Sequence, residues 1–285
     1  MKKEKKFGIR YGKECASCGG AFAPYNCGGA GSYNTNFKVE DPVQGPIEDC
    51  FLIAALASIA WVKPSKLNLY PNYSFLGNFE NPDVDLTKDH DNMNVLLDAQ
   101  GYPAGAKLGI NNNNWPLLYE KAYAIAQGRG NWGKTKCPDI SKISGGVGLT
   151  ALKEVYRTNN PGIGNANSPF IININTDGTV AKMVEKLNRC TSTQSGKAQS
   201  PAVAWISDGY TKEIKNNHTY SYLGYYKDAR ATYYIILRNP CRSEPTTNVT
   251  TSGNWQSISF TNLNDGIFAL KLTAVTTNLN IGYVW

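Results

Sequence analysis

From Phe51 to Val62 the chain runs for 12 residues with Ser58 as the one polar side chain. A helix with one wet face shows polar residues every three or four positions. This segment has no such rhythm, so it predicts a helix from about Cys50 to Val62 that is buried on nearly all sides. Its alanines (Ala54, Ala55, Ala57, Ala60) permit close approach of neighbours. Glu48 and Asp49 precede the run, and Lys63-Pro64 ends it, because the residue before a proline is driven out of helical geometry. A membrane-crossing helix needs about 20 apolar residues, so the expectation is a soluble protein with no transmembrane segment. With 285 residues, 41% apolar and 18% charged, the chain can bury a sizeable core around such a helix. The length allows one large domain or two ordinary ones.

Residues 11 to 46 are rich in Gly, Asn, Pro and Tyr and read as irregular structure, and residues 66 to 92 are polar and turn-rich. A second helix is expected from about Trp115 to Gln127, with Leu117, Leu118, Ala122 and Ile125 as its apolar stripe and Gly128 as its stop. A short helix from about Leu149 to Tyr156 follows the Gly145-Gly146 break. The pattern then changes. Phe170 to Ile174 predicts a strand, and Thr179 to Cys190 a helix with Met183, Val184 and Leu187 inward. Ala202 to Ile206, His218 to Tyr226, Thr232 to Leu237, Ser257 to Phe260 and Gly266 to Leu272 are short β-branched and aromatic runs between turn residues. Helices first and antiparallel strands later argue an α+β protein of two lobes, residues 1–145 mainly helical and 146–285 rich in β structure. No internal repeat is present.

The formal charge is +7, from 29 Lys and Arg against 22 Asp and Glu, and the lysine-rich first six residues supply +3 of it. No basic block interleaved with aromatics remains, which argues against nucleic-acid binding. No apolar stretch follows the opening lysines, so no secretory leader is read. The compartment stays open between the cytoplasm and a secreted or surface location whose leader lies outside this chain. Seven cysteines leave at least one without an intrachain partner. Cys15, Cys18 and Cys27 cluster, but a structural zinc site wants four ligands and neither histidine is near them in sequence, so a disulfide or idle thiols are favoured over zinc. Sequons at Asn72, Asn217 and Asn248 are expected by chance in so asparagine-rich a chain.

Cys50 falls at the first turn of the apolar helix. The helix dipole and the unbonded N–H groups there favour a thiolate. A thiolate nucleophile needs a proton carrier, and the chain has two histidines. His90 lies in a polar Lys-Asp-His-Asp-Asn loop and reads as solvated. His218 enters a predicted strand, and Asn239 follows the next one. If those strands form an antiparallel hairpin, the two side chains are neighbours, and Asn239 can hold the imidazole in one tautomer. Cys50, His218 and Asn239 then make an acyl-transfer triad. Gln44, six residues before Cys50, can donate its amide to an oxyanion beside the Cys50 backbone N–H.

At these residues the sequence resembles the calpain-like cysteine peptidases. Asp41-Pro-Val-Gln44-Gly45-Pro-Ile-Glu48-Asp49-Cys50-Phe51-Leu52-Ile-Ala54-Ala55-Leu56-Ala57-Ser58 is similar to their nucleophile segment. Trp115-Pro-Leu-Leu118-Tyr-Glu120-Lys121-Ala122-Tyr123-Ala124, Ser144-Gly145-Gly146, Asn217-His218-Thr219-Tyr220-Ser221, Leu237-Arg238-Asn239-Pro240 and Asp265-Gly266-Ile267-Phe268 resemble further family stretches in family order.

The resemblance implies a papain-like, two-lobed proteinase core with the cleft between lobes. Cys50 is then the nucleophile, His218 the base and acid, Asn239 the orienter and Gln44 the oxyanion donor, with protein or peptide substrates. It also implies a calcium site using Asp41 and Glu120, and carbonyls of the loop around Asn34 to Phe37 could complete such a shell. The chain departs from the family where Glu48 and Asn217 replace glycines and where Phe51 and Cys241 replace tryptophans. The Cys241 change leads one to expect a wetter His–Asn bond, unless Trp255 covers it. Two other readings stay open: a catalytically silent binding or scaffold protein on the same fold, and acyl transfer to an amine. The sequence does not give the oligomeric state.

Overall fold

A computed structural model describes residues 26–29, 36–67, 94–97, 104–109, 113–126, 140–158, 170–174, 178–206, 214–242, 249–250, 254–255, 258–259, 266–275 and 278–285. His90, Cys15, Cys18, Asp265 and the side chains of Ala122 and Ile125 lie outside them. In chain order the elements are β1 (Asn26–Gly29), α1 (Cys50–Val62), β2 (Asn94–Leu97), α2 (Trp115–Ala126), α3 (Gly148–Thr158), β3 (Phe170–Ile174), α4 (Val180–Leu187), β4 (Lys197–Ile206), β5 (Tyr220–Lys227) and β6 (Tyr233–Arg238). β7 (Val249–Thr250), β8 (Asn254–Trp255), β9 (Ile258–Ser259), β10 (Ile267–Lys271) and β11 (Leu279–Tyr283) complete the set. No helix among the described residues is long and apolar enough to cross a membrane.

The fold is α+β. Seven strands form one sheet in the order β3-β11-β4-β5-β6-β10-β7, and every pairing in it is antiparallel. Side chains alternate faces along each strand, and both faces are covered. Ala202, Ala204 and Ile206 of β4 share a core with Ile235 and Leu237 of β6, Phe268 of β10, and Met183 and Leu187 of α4. Val203 and Trp205, one residue out of phase, pack with α1, α2 and α3. Ile236, Ile267 and Ala269 meet Ala57 of α1 and Trp255. Double coverage explains why these strands read as nearly continuous apolar runs.

Helix α1 has the bounds its sequence predicts, and Cys50 through Ala60 are all buried. Its one polar residue is the reason it sits still against the sheet. Ser58 Oγ accepts from the Ala202 backbone N–H at 2.6 Å. A second tie runs the other way, from Ser221 Oγ of β5 to the Ala54 carbonyl at 2.8 Å. Helix α3 contributes Leu149, Leu152 and Val155 to the helical core. In α4, Met183 and Leu187 are buried as expected, whereas Val184 is half-buried at the edge of that core. Thr179 caps α4 by accepting from the Lys182 N–H.

Strand β11 was not expected from the sequence: Leu279, Ile281 and Tyr283 alternate with Asn280 and Gly282, but an asparagine and a glycine are poor strand formers. Tertiary neighbours supply the reason for both. Asn280 Oδ1 accepts from Asn173 Nδ2 at 3.0 Å on the adjacent strand. A Cβ at Gly282 would stand 2.8 Å from Leu149 and 2.9 Å from Trp205, so only glycine admits these side chains.

Candidate active site

Two cysteines among the described residues are free thiols, Cys50 and Cys190. Cys50 is the first residue of α1. Asp49, the N-cap residue, makes no side-chain capping bond. The positive end of the helix therefore faces Cys50 without a capping carboxylate on its N–H groups.

The β5–β6 hairpin brings His218 and Asn239 together. β5 and β6 pair with Ser221 opposite Arg238. His218 stands two residues before β5 and Asn239 immediately after β6. His218 Nε2 and Asn239 Oδ1 are 2.7 Å apart, and both residues are buried. An amide oxygen only accepts, so Nε2 carries a hydrogen and Nδ1 is the ring nitrogen not used by this bond. The Cys241 backbone N–H also donates to Asn239 Oδ1 at 3.1 Å and fixes that amide from a second direction. The Tyr220 ring stands edge-on to His218 at 4.8 Å.

The His–Asn bond is therefore dry, against the expectation drawn from the missing tryptophan. Cys241 packs on Cys50 and Tyr220 shields the imidazole. Trp255 does not substitute: it stacks near Trp61 and over Gly224, in a different core. Asn217 also has an explanation. Its φ is +54°, a left-handed turn in which asparagine is the best tolerated residue after glycine.

Gln44 is carried to the same place. Its backbone N–H donates to the Pro240 carbonyl at 3.0 Å, one residue past Asn239. Its Nε2 donates to the Ile47 carbonyl at 2.7 Å, which fixes the amide plane, and such a nitrogen bears two hydrogens. Cys241 is disulfide-bonded. Its sulfur, with no S–H to donate, rests 3.6 Å from Gln44 Oε1.

Sequence reasoning quoted Arg238 in a motif but gave it no role. It is fully buried, and its Nη2 donates to the Glu40 carbonyl at 3.1 Å and the Pro42 carbonyl at 2.6 Å. Arg238 thus ties the strand end that carries Asn239 to the segment that carries Gln44. A charged residue closing an apolar strand was the available signal. Gly266, in the Asp-Gly stretch, accepts from the Asn239 N–H at 2.8 Å with φ +74°. A Cβ there would be 2.5 Å from the Asn239 carbonyl oxygen. Glu48 is held by Ser144, whose Oγ donates to Oε2 at 3.1 Å, and its carbonyl accepts the Gly145 N–H at 2.8 Å.

Asp41 and Glu120 are both buried. Asp41 Oδ1 accepts from Asn113 Nδ2 at 2.8 Å, and Oδ2 from Trp115 Nε1 and the Lys38 N–H, each at 2.9 Å. Glu120 Oε2 accepts the Ala106 N–H at 2.8 Å. Burial pushes the Glu120 carboxyl up to about 7, against the lowering effect of the Ala106 and Asp49 hydrogen bonds. Three N–H donors thus converge on the Asp41 carboxylate. No cluster of three or more His, Cys, Asp or Glu side chains able to hold a metal occurs among the described residues.

A buried histidine–asparagine pair beside a thiol at a helix start, with a glutamine amide fixed nearby, is the kind of site that cysteine-dependent acyl-transfer enzymes use. No protein-family model matches the chain. The chain is similar to a protein of Porphyromonas gingivalis (strain ATCC BAA-308 / W83) named "Thiol protease", with 28% identity over 267 residues and 83% of this chain covered. It spans about half the length of that relative, 52%.

Proposed function

We propose that this protein is a calpain-like cysteine endopeptidase with a papain-like cleft, cutting peptide bonds through Cys50, His218, Asn239 and Gln44. The observation that carries the reading is the buried 2.7 Å His218–Asn239 bond on a strand pair pinned to the Cys50 helix. Similarity to a protein named as a thiol protease supports it.

In this reading His218 Nδ1 takes the thiol proton, and the Cys50 thiolate attacks the substrate carbonyl carbon. The oxyanion receives an N–H of Gln44 and the Cys50 backbone N–H, which at the first helical position has no intrahelical acceptor. Imidazolium returns its proton to the leaving amine, and the C–N bond breaks. The acyl group remains on Cys50 as a thioester until His218 activates water to release the acid. Asn239 keeps the ring in one tautomer throughout. No step runs through a metal.

The test is hydrolysis of an unfolded protein by wild type and Cys50→Ala, with calcium and with a chelator. Cleavage by wild type alone supports the reading, and full activity in Cys50→Ala overturns it. Calcium-dependent cleavage lost in Cys50→Ala would support Asp41 and Glu120 as metal ligands. Cleavage indifferent to the chelator discards the metal. No cleavage by either protein under any condition favours the silent scaffold.

A further inference from the structure

Cys50 is 1% exposed and packs against Cys241, which is half-buried and disulfide-bonded. A cysteine outside any disulfide thus touches a disulfide cysteine, at the first residue of α1. The acyl-transfer reading of Cys50 makes no use of that second sulfur. Thiol–disulfide exchange needs a thiolate, a disulfide sulfur within its reach and a thiol that leaves. Side chains already in contact need little backbone movement to be joined.

Cys241 is held at this place by its own turn. Its backbone N–H donates to Asn239 Oδ1 at 3.1 Å, and the Arg242 N–H donates to the Asn239 carbonyl at 3.0 Å. Arg242 has φ +59°, and a Cβ on Gly266 would come within 2.8 Å of its Cα, so the turn is packed from behind. On the other side, the Pro240 carbonyl accepts the Gln44 N–H at 3.0 Å, and Arg242 Nη2 donates to the Glu40 carbonyl at 3.2 Å. Residues 239 to 242 are therefore tied to the segment before Cys50 without help from the disulfide. Cys241 stays beside Cys50 whichever sulfur it is bonded to.

Cys190 serves as an internal control. It lies in the core under the sheet, whose cluster contains no other cysteine, and burial pushes its thiol up to about 12. A thiol held protonated is a poor attacking group.

We propose that Cys50 and Cys241 are a thiol–disulfide exchange pair, in which Cys241 reversibly covers the Cys50 sulfur. The Cys50 thiolate attacks Cys241 Sγ, a Cys50–Cys241 bond forms, and the bond from Cys241 to its present partner breaks. That partner leaves as a thiolate and takes up the proton that Cys50 gave. One S–S bond is made and one is broken, so no oxidant or reductant is consumed. While the new bond stands, Cys50 cannot attack a carbonyl. Two equivalents of a small thiol, attacking first at half-buried Cys241, reopen it and leave as their own disulfide. The inference goes beyond the peptidase reading, since it needs only that Cys50 attack sulfur.

The test is disulfide mapping of the wild-type protein, held at about pH 8 without reductant, where thiolates form. Samples taken over time are quenched in acid, alkylated with N-ethylmaleimide and digested for mass spectrometry. A Cys50–Cys241 peptide should appear, the total thiol titre should stay constant, and Cys190 should remain a thiol. The half-time should be unchanged over about a hundredfold dilution, because both sulfurs belong to one chain. Cys50→Ser should lose the linked peptide, and dithiothreitol should return Cys50 to full alkylation. Three results overturn the pair: Cys241 keeping a partner other than Cys50 at every time, a half-time that shortens with protein concentration, or Cys50 lost to a sulfenic acid or to a different cysteine. Peptide hydrolysis on the same samples separates this from the peptidase reading, and should fall in proportion to the linked fraction. Hydrolysis with no Cys50–Cys241 link overturns the pair alone. A link in protein that cuts no peptide, with or without dithiothreitol, overturns the peptidase reading alone.

Discussion

Cys50 and Cys190 both stand outside any disulfide and both are buried, yet their surroundings differ. Cys190 lies in the core under the sheet, where its sulfur contacts the Leu187 carbonyl at 3.6 Å and Thr191 Oγ1 at 3.7 Å. Burial pushes its thiol up to about 12, so it stays protonated and inert. Cys50 is as hidden from solvent, but it opens a helix and packs against Cys241, whose backbone N–H shares the Asn239 amide oxygen with His218. Burial alone therefore says little about a thiol. What matters is whether the polar groups around it can hold the negative charge and accept the proton.

The sharpest way to break this contrast is to remove each sulfur. Cys50→Ala should lower peptide hydrolysis by about 10⁶-fold, the scale of losing a catalytic nucleophile. Cys190→Ala should leave it within about twofold, and a large loss in that variant would erase the distinction. His218→Ala should cost about 10⁴-fold in hydrolysis and slow Cys50 alkylation toward that of Cys190. Gln44→Ala should lower kcat by about 10²–10³-fold yet leave alkylation of Cys50 near wild type, because alkylation builds no oxyanion. Parallel loss of both rates would make Gln44 a structural residue.

Two smaller effects concern stability, read by chemical denaturation. Arg238→Met takes the charged donor from the Pro42 carbonyl and leaves the Glu40 carbonyl with Arg242 Nη2 alone, at 3.2 Å, and should cost about 2 kcal/mol. Glu120 has a folded pKa raised to about 7 from 4.5. Its neutral form is the favoured one in the fold, so its contribution is full below about pH 4.5 and is lost as pH rises toward 7. Glu120→Gln should flatten that decline, by at most about 3 kcal/mol across the window. An unchanged slope would show that Glu120 does not carry the pH dependence of stability.

The sequence by itself determined α1, because a run with one polar residue has no wet face to offer and must be buried. It also determined the hairpin logic that brings His218 to Asn239, since antiparallel pairing of two short apolar runs leaves their outer ends adjacent. The candidate residues Cys50, His218, Asn239 and Gln44 were legible by type and order. Tertiary structure decided what no local pattern encodes. Strand β11 exists because Asn280 and Gly282 fit neighbours far away in the chain. The His–Asn bond is dry because Tyr220 and Cys241 cover it where a tryptophan was expected. Arg238 matters through two carbonyls almost 200 residues distant. Asp41 became a hydrogen-bond acceptor because Asn113 and Trp115 converge on it. Periodicity reports which face of an element is apolar. Which polar atoms meet across a core depends on the packing of elements, and that is fixed only when the chain has closed on itself.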